Sequence, residues 1–112
     1  MKTIALKLTI SIKKVYEGEW FEWMAKEQIP DTINTGLIID FFIHKMVSSI
    51  LPEYVEYEIG YIFHYKKEYE EYMENFRLDL NQKHHQKFNL SSRSKFEERA
   101  YEDLSHEVIK LN

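Results

Sequence analysis

Thr3-Ile4-Ala5-Leu6-Lys7-Leu8-Thr9-Ile10-Ser11-Ile12 alternates without a lapse. Ile4, Leu6, Leu8, Ile10 and Ile12 point one way, while Thr3, Ala5, Lys7, Thr9 and Ser11 point the other, the period-two mark of a strand with one apolar face. The second face, small and polar, is what a sheet turns to the side that no helix covers. The rest of the chain must supply the cover for the first.

Glu17 to Thr35 reads as a helix. Trp20, Trp23, Met24 and Glu27 share a face at spacings of three and four, with Phe21 flanking it. Glu17, Glu19 and Glu22 fall in its first turns, where the helix dipole favours anions. Pro30 lacks a donor and disfavours helical geometry at Ile29, which predicts a kink or break. One more turn, Asp31 to Asn34, then ends at Gly36, which suits a left-handed cap.

Leu37 to Val47 carries Ile38, Ile39, Phe41, Phe42, Ile43 and Met46, apolar on both parities, and predicts a strand buried on both faces. Tyr54 to Tyr65 is the next strand. Val55, Tyr57, Ile59, Tyr61, Phe63 and Tyr65 form an almost wholly aromatic face; Glu56, Glu58, Gly60, Ile62 and His64 form the other. A short 48–53 loop pairs the two antiparallel, with His44 near Tyr57 and His64 near Leu37, too far apart to share a metal.

Lys66 to Phe88 predicts one long helix with Tyr69, Tyr72, Met73, Phe76, Leu80, His84 and Phe88 on its apolar side. In the tail two signals compete. Ser94-Lys95-Phe96-Glu97 resembles a capping box, yet the sheet wants a fourth strand; an edge strand over Leu90 to Glu98 followed by a short helix is the expectation. The order β-α-β-β-α-β predicts an α+β, ferredoxin-like βαββαβ sandwich: an antiparallel sheet with two helices on one face. It spans 1–112 as a single domain, residues 100–112 being a tail or short helix.

The chain has 112 residues, 44% hydrophobic and 30% charged, a globular balance. Eight Tyr, seven Phe and two Trp exceed what a small core needs, so the surplus goes either to a large-residue core or to a cleft or partner interface. Net charge is -4 and no basic stripe alternates with aromatics, against nucleic-acid binding. Absent cysteine removes disulfides, thiolate catalysis and Cys-based metal centres. The alternating N-terminus is no signal peptide and there is no long apolar run, so a cytoplasmic protein without membrane partners is expected. Phosphate loops, HExxH and the nucleophile elbow are missing.

Asp40, set between Ile39 and Phe41, is the best single site candidate, because a carboxylate among apolar residues must be paired, protonated or aimed at a cavity. Its other reading is an exposed strand beginning or a salt bridge to Lys7. His84, between Leu80 and Phe88 near a helix C-terminus, is either a buried or capping histidine whose charged form the dipole favours, or a cleft acid or base. Tyr57, Tyr61 and Tyr65 either line a pocket for a flat ligand or pack under helices; Trp20 and Trp23 read as helix-to-sheet core. No catalytic residue, metal ligand or cofactor is assigned.

Glu19-Trp20-Phe21-Glu22-Trp23-Met24, then Ile29-Pro30, then Thr35-Gly36 before a strand, resembles the bacterial family called domain of unknown function 4286. Tyr69-Glu70-Glu71-Tyr72, with His84 four residues before Phe88, extends the likeness over roughly residues 2–90. The family tends to place His before Ile-Pro; Gln28 stands here, and were that position catalytic, Gln28 would argue against activity. The family's last strand is typically apolar, whereas Ser91 to Arg99 is polar apart from Phe96. The chain is also similar to the dimeric α/β-barrel group, in which two ferredoxin-like sheets pack face to face and which includes cofactor-independent monooxygenases. The open sheet face and the aromatic surplus point to a non-catalytic homodimeric binding or interaction domain, dimerising through that face. The alternative is a small cofactor-independent oxygenase-like enzyme or ligand-binding protein, its pocket drawn from Asp40, His84, Tyr57, Tyr61, Trp23 and Gln28.

Overall fold

A computed structural model describes residues 3–48, 51–88 and 94–111. Within them, strands β1 (Thr3–Lys13), β2 (Asp40–Lys45), β3 (Tyr54–Phe63) and β4 (Ser94–Asp103) form an antiparallel sheet in the order β2-β3-β1-β4. The most regularly alternating segment, β1, takes a central place. Its register sets Leu8 between Ile59 and Glu98, and Ile10 between Tyr57 and Phe96.

The apolar face is covered by two helical runs. The first joins α1 (Glu17–Trp23), a widened π-type turn (Met24–Gln28) and α2 (Ile29–Ile33). The second is α3 (Lys66–Asn75) and α4 (Arg77–Lys87). Leu6, Ile10, Ile12, Ile59 and Phe63 from the sheet meet Trp20, Met24, Tyr72, Leu80 and Phe88 from the helices. Each such side chain contributes about 1.5–3 kcal/mol by leaving water. A final short helix, α5 (Ser105–Lys110), follows β4. Gly36 ends the first run at φ 79, the left-handed cap that its position predicts.

Four expectations need correction. The backbone stays helical through Ile29 and Pro30, because the turn before the proline widens: the Ile29 N–H reaches back five residues to the Met24 carbonyl. Pro30 then stands in the first turn of α2, where a missing N–H costs nothing.

The single helix over Lys66 to Phe88 is in fact two, parted at Phe76 (φ -126, ψ -34). Its apolar stripe runs 72, 76, 80, 84, 88. Each four-residue step overshoots a helical turn by about 40°, so in an unbroken helix the stripe would walk about 160° around the surface. The break brings it back to the core.

The strand expected over Leu37 to Val47 is shorter, and it is an edge strand rather than one buried on both faces. Phe41 is 41% exposed and Ile39 58%. Only β3 flanks it, and its register runs one residue off the expected one, with His44 opposite Glu58 and Lys45 opposite Tyr57.

Finally, β4 runs on to Asp103, beyond the expected end at Glu98; residues 90–93 lie outside the described residues. It pairs with β1 from Ile12↔Ser94 to Thr3↔Asp103. A full strand's worth of open backbone donors and acceptors on β1 outweighs the local capping-box signal.

Candidate functional site: a buried Trp–His–Gln cluster

Trp20 and Gln28 come from the first helical run, and His84 from α4. Trp20 is fully buried and carries one N–H that must find an acceptor. Its Nε1–H donates to His84 Nε2 across 2.9 Å. That bond sets the imidazole tautomer: with Nε2 accepting, neutral His84 carries its proton on Nδ1. His84 is 1% exposed, and burial, with a smaller push from His85, lowers its pKa to about 4. The dipole of α4 therefore does not hold it charged, contrary to the expectation from sequence; desolvation wins.

Gln28 sits in the widened turn and points inward. Its Nε2 donates to the Leu80 carbonyl at 2.7 Å, one turn before His84. Its Oε1 and the His84 Nδ1 are both buried without a hydrogen-bond partner among the described residues. The cluster thus ends in a donor and an acceptor on the same seam between helices. Thr32 extends it, giving its hydroxyl hydrogen to the Gln28 carbonyl at 2.8 Å and meeting the Tyr61 and Tyr72 hydroxyls. Burial pushes Tyr61 up to about 12 and raises Tyr72 as well, so both phenols stay protonated.

Trp23 lies above, its ring 6.0 Å from His84 and 5.5 Å from Phe88. It is half-buried and floors a surface groove of about 350 Å³ with Glu27, Asp31, Lys83, Gln86 and Lys87. Tyr57 packs its ring, tilted, 4.8 Å from that of Trp20 at the opposite end and donates its hydroxyl to Glu17 at 2.6 Å. Lys45 bonds the same carboxylate at 2.7 Å, and these two partners hold Glu17 below the usual carboxylate range.

Five of the six candidate residues therefore gather around one core: Gln28 and His84 within the cluster, Tyr61 through Thr32, Tyr57 through Trp20, and Trp23 as the lid. Asp40 does not join them. It begins β2 on the uncovered side of the sheet, exposed, and its Oδ1 accepts the Phe41 N–H at 2.8 Å. Its polarity needs no cavity.

Sequence reasoning missed three participants. Trp20 was assigned to packing, although an indole N–H on an apolar face signals a partner. Thr32 lies one four-residue step beyond Gln28. Glu98 lies on the helix-facing side of β4, where Arg77 and Asn81 of α4 both donate to its carboxylate. The cluster holds a neutral imidazole, an amide oxygen and a phenol pair out of solvent, and no group of three or more metal-binding side chains is assembled among the described residues.

The comparisons agree with this architecture. The chain is similar in structure to a dimeric ferredoxin-like protein from an uncultured marine organism (TM-score 0.65, 12% identity, covering 93% of this chain and 97% of that one). It is also similar to HapK from Hahella chejuensis (TM-score 0.60, 18% identity, 94% of each chain). A third likeness is to a protein from Bacillus cereus named for antibiotic biosynthesis monooxygenases (TM-score 0.59, 12% identity, 94% and 96%). At these identities the shared property is the fold. No curated protein matches. The profile of one family matches residues 3–109, nearly the whole chain, and the protein belongs to that family, described as domain of unknown function (DUF4286).

Proposed function

We propose that the chain acts as a homodimeric binding or interaction domain, two copies meeting through the sheet face that the helices leave uncovered. The observation that carries this reading is the face itself. Phe42, Ile62, Met46 and Tyr101 lie on it among charged residues, and Met46 and Tyr101 are each close to half exposed. Two of the similar structures are described as dimeric ferredoxin-like proteins, which supports the same assembly. The reading takes residues 1–112 as one cytoplasmic domain of a bacterial protein. No described helix is long and apolar enough to cross a membrane.

The inner cluster supports a structural role better than a catalytic one. His84 has one nitrogen taken by Trp20 and is sealed from solvent, so a substrate atom has no approach to it. Sedimentation velocity at high micromolar concentration tests the assembly: a dimer is expected, and a strict monomer overturns it.

A second reading, a small cofactor-independent oxygenase, is favoured by one observation, the unpartnered His84 Nδ1 and Gln28 Oε1 on a shared seam. Names carried by similar structures point the same way. Soaking with flat aromatic substrates, followed by oxygen-uptake measurements on the protein and on His84→Gln, separates the two. Uptake by the protein that the variant loses would displace the binding-domain reading.

A further inference from the structure

On the uncovered face the strand register lines side chains up in rows that run across the sheet. Phe42, Gly60, Lys7 and Arg99 form one row from β2 to β4; His44, Glu58, Thr9 and Glu97 form the next. The first row carries two cations and no acid. The second carries two acids and no lysine or arginine. Within the chain Lys7 reaches Glu58 at 3.3 Å and Arg99 reaches Glu97 at 2.7 Å, and all four side chains remain substantially exposed. Such pairs retain capacity for further partners.

The middle of the face is also flat. The Phe42 ring lies down on Gly60, so closely that a Cβ there would stand 2.1 Å from a ring carbon. Phe42 in turn stacks on His44 at 4.5 Å. Gly60 adds no side chain of its own to β3, and the Phe42 ring fills that space, which leaves room there for a second sheet.

We propose that a second copy of this chain covers the face in one defined orientation: the cationic row of each copy lies over the acidic row of the other. A two-fold axis running across the strands, between the rows, produces this arrangement. It sets Arg99 against Glu97 of the partner subunit, Lys7 close to Glu58 of the partner subunit, and Phe42 over His44 of the partner subunit. Each contact then occurs twice, as a two-fold interface requires. A two-fold running along the strands would instead lay each row over the same row of the partner subunit, cations over cations. Aligned sheets pack about 10 Å apart, a gap that arginine, lysine and glutamate side chains span together. Self-complementary rows also oppose the general repulsion of two copies that each carry a net charge of -4. The inference rests on the homodimer reading above and adds its orientation.

Sedimentation equilibrium across a salt series tests it, on the wild-type chain and on Arg99→Glu, Glu97→Arg and the double exchange. The expected dimer weakens as salt rises. Each single reversal weakens it about tenfold by setting like charges face to face, and the double exchange returns to within about threefold of wild type. An equimolar mixture of the two single variants also recovers a dimer, because one copy is then acidic and the other basic at the facing positions. If a single variant fails to fold by circular dichroism, Lys7→Glu replaces it with the same expectation. A dimer strengthened by salt or by Arg99→Glu has like rows facing and overturns the orientation while leaving the homodimer standing. A dimer indifferent to every reversal uses another surface and overturns it equally. A monomer under all conditions overturns the homodimer reading itself.

Discussion

The two helical runs over the sheet meet the same geometric problem and solve it differently. Each presents a core stripe that repeats every four residues: Trp20, Met24, Gln28 and Thr32 in the first, Tyr72, Phe76, Leu80, His84 and Phe88 in the second. A regular helix turns in 3.6 residues, so such a stripe drifts by about 40° at each step. The first run inserts one extra residue in the widened turn Met24–Gln28, which rotates the stripe back by about 100° and keeps Thr32 only 1% exposed. The second run stops at Phe76 and starts again, which keeps His84 and Phe88 inside.

The consequences differ. A widened turn stays continuous and delivers a polar side chain, Gln28, into the core. A break gives a fresh helix start, whose first residue, Arg77, and Asn81 one turn on hold Glu98 of β4. A strict four-residue stripe thus signals an irregular helix, but not which irregularity.

The strongest way to break this picture is at the point where the two runs are tied. Trp20→Ala removes a fully buried indole and strands the His84 Nε2 without its donor. It should cost about 3–5 kcal/mol, read as a shift in urea midpoint at unchanged slope. Trp23→Ala, half-exposed above the same histidine, should cost less than half as much. Equal losses would mean that the Trp20–His84 bond is not the tie.

The next effect in size is one of pH. His84 has a pKa of about 4 in the folded chain against 6.5 ordinarily. Above pH 6.5 the imidazole is neutral in both states and its contribution is level. As pH falls from 6.5 towards 4 the unfolded chain takes up a proton that the folded chain refuses, so stability declines by about 3 kcal/mol. His85, facing Glu98 and also lowered by burial, adds to the same decline. Glu17, with its depressed pKa, adds a loss only at lower pH, as it protonates. Denaturation at pH 7, 6 and 5 should show a clearly shallower decline in His84→Phe; an identical decline would place the titration elsewhere.

The smallest expected effect sharpens the comparison most. If the spacing of the stripe, rather than the proline, sets the widened turn, Pro30→Ala should change stability by less than about 1 kcal/mol. The Ile29 amide should keep its slow hydrogen exchange through its bond to Met24. Rapid exchange at Ile29 in that variant would assign the widened turn to the proline.

Much of the fold is legible in the chain because periodicity is local. Strict alternation over residues 3–12 requires a strand with one apolar face. The aromatic face Tyr57, Tyr61 and Phe63 follows from the same rule, and Gly36 is placed by its left-handed backbone. The site was legible only by residue type. Gln28 and His84 are polar residues on apolar stripes, but their partners lie on other elements, 52 and 64 residues away in sequence. Asp40 shows the opposite error: apolar neighbours in sequence do not bury a residue that begins an edge strand.

Hydrophobic period and backbone sterics by themselves determined the order of strands and helical runs and the face that becomes the core. Tertiary structure alone decided three things. The registry of β2 against β3 differs by one residue from the loop-based estimate, since side-chain packing on both strands selects it. The fourth strand, expected to end at Glu98, runs on to Asp103 because β1 offers unpaired backbone along its whole length. The charge state of His84 was settled by burial beneath Trp20 and Trp23, where loss of water outweighs the helix dipole.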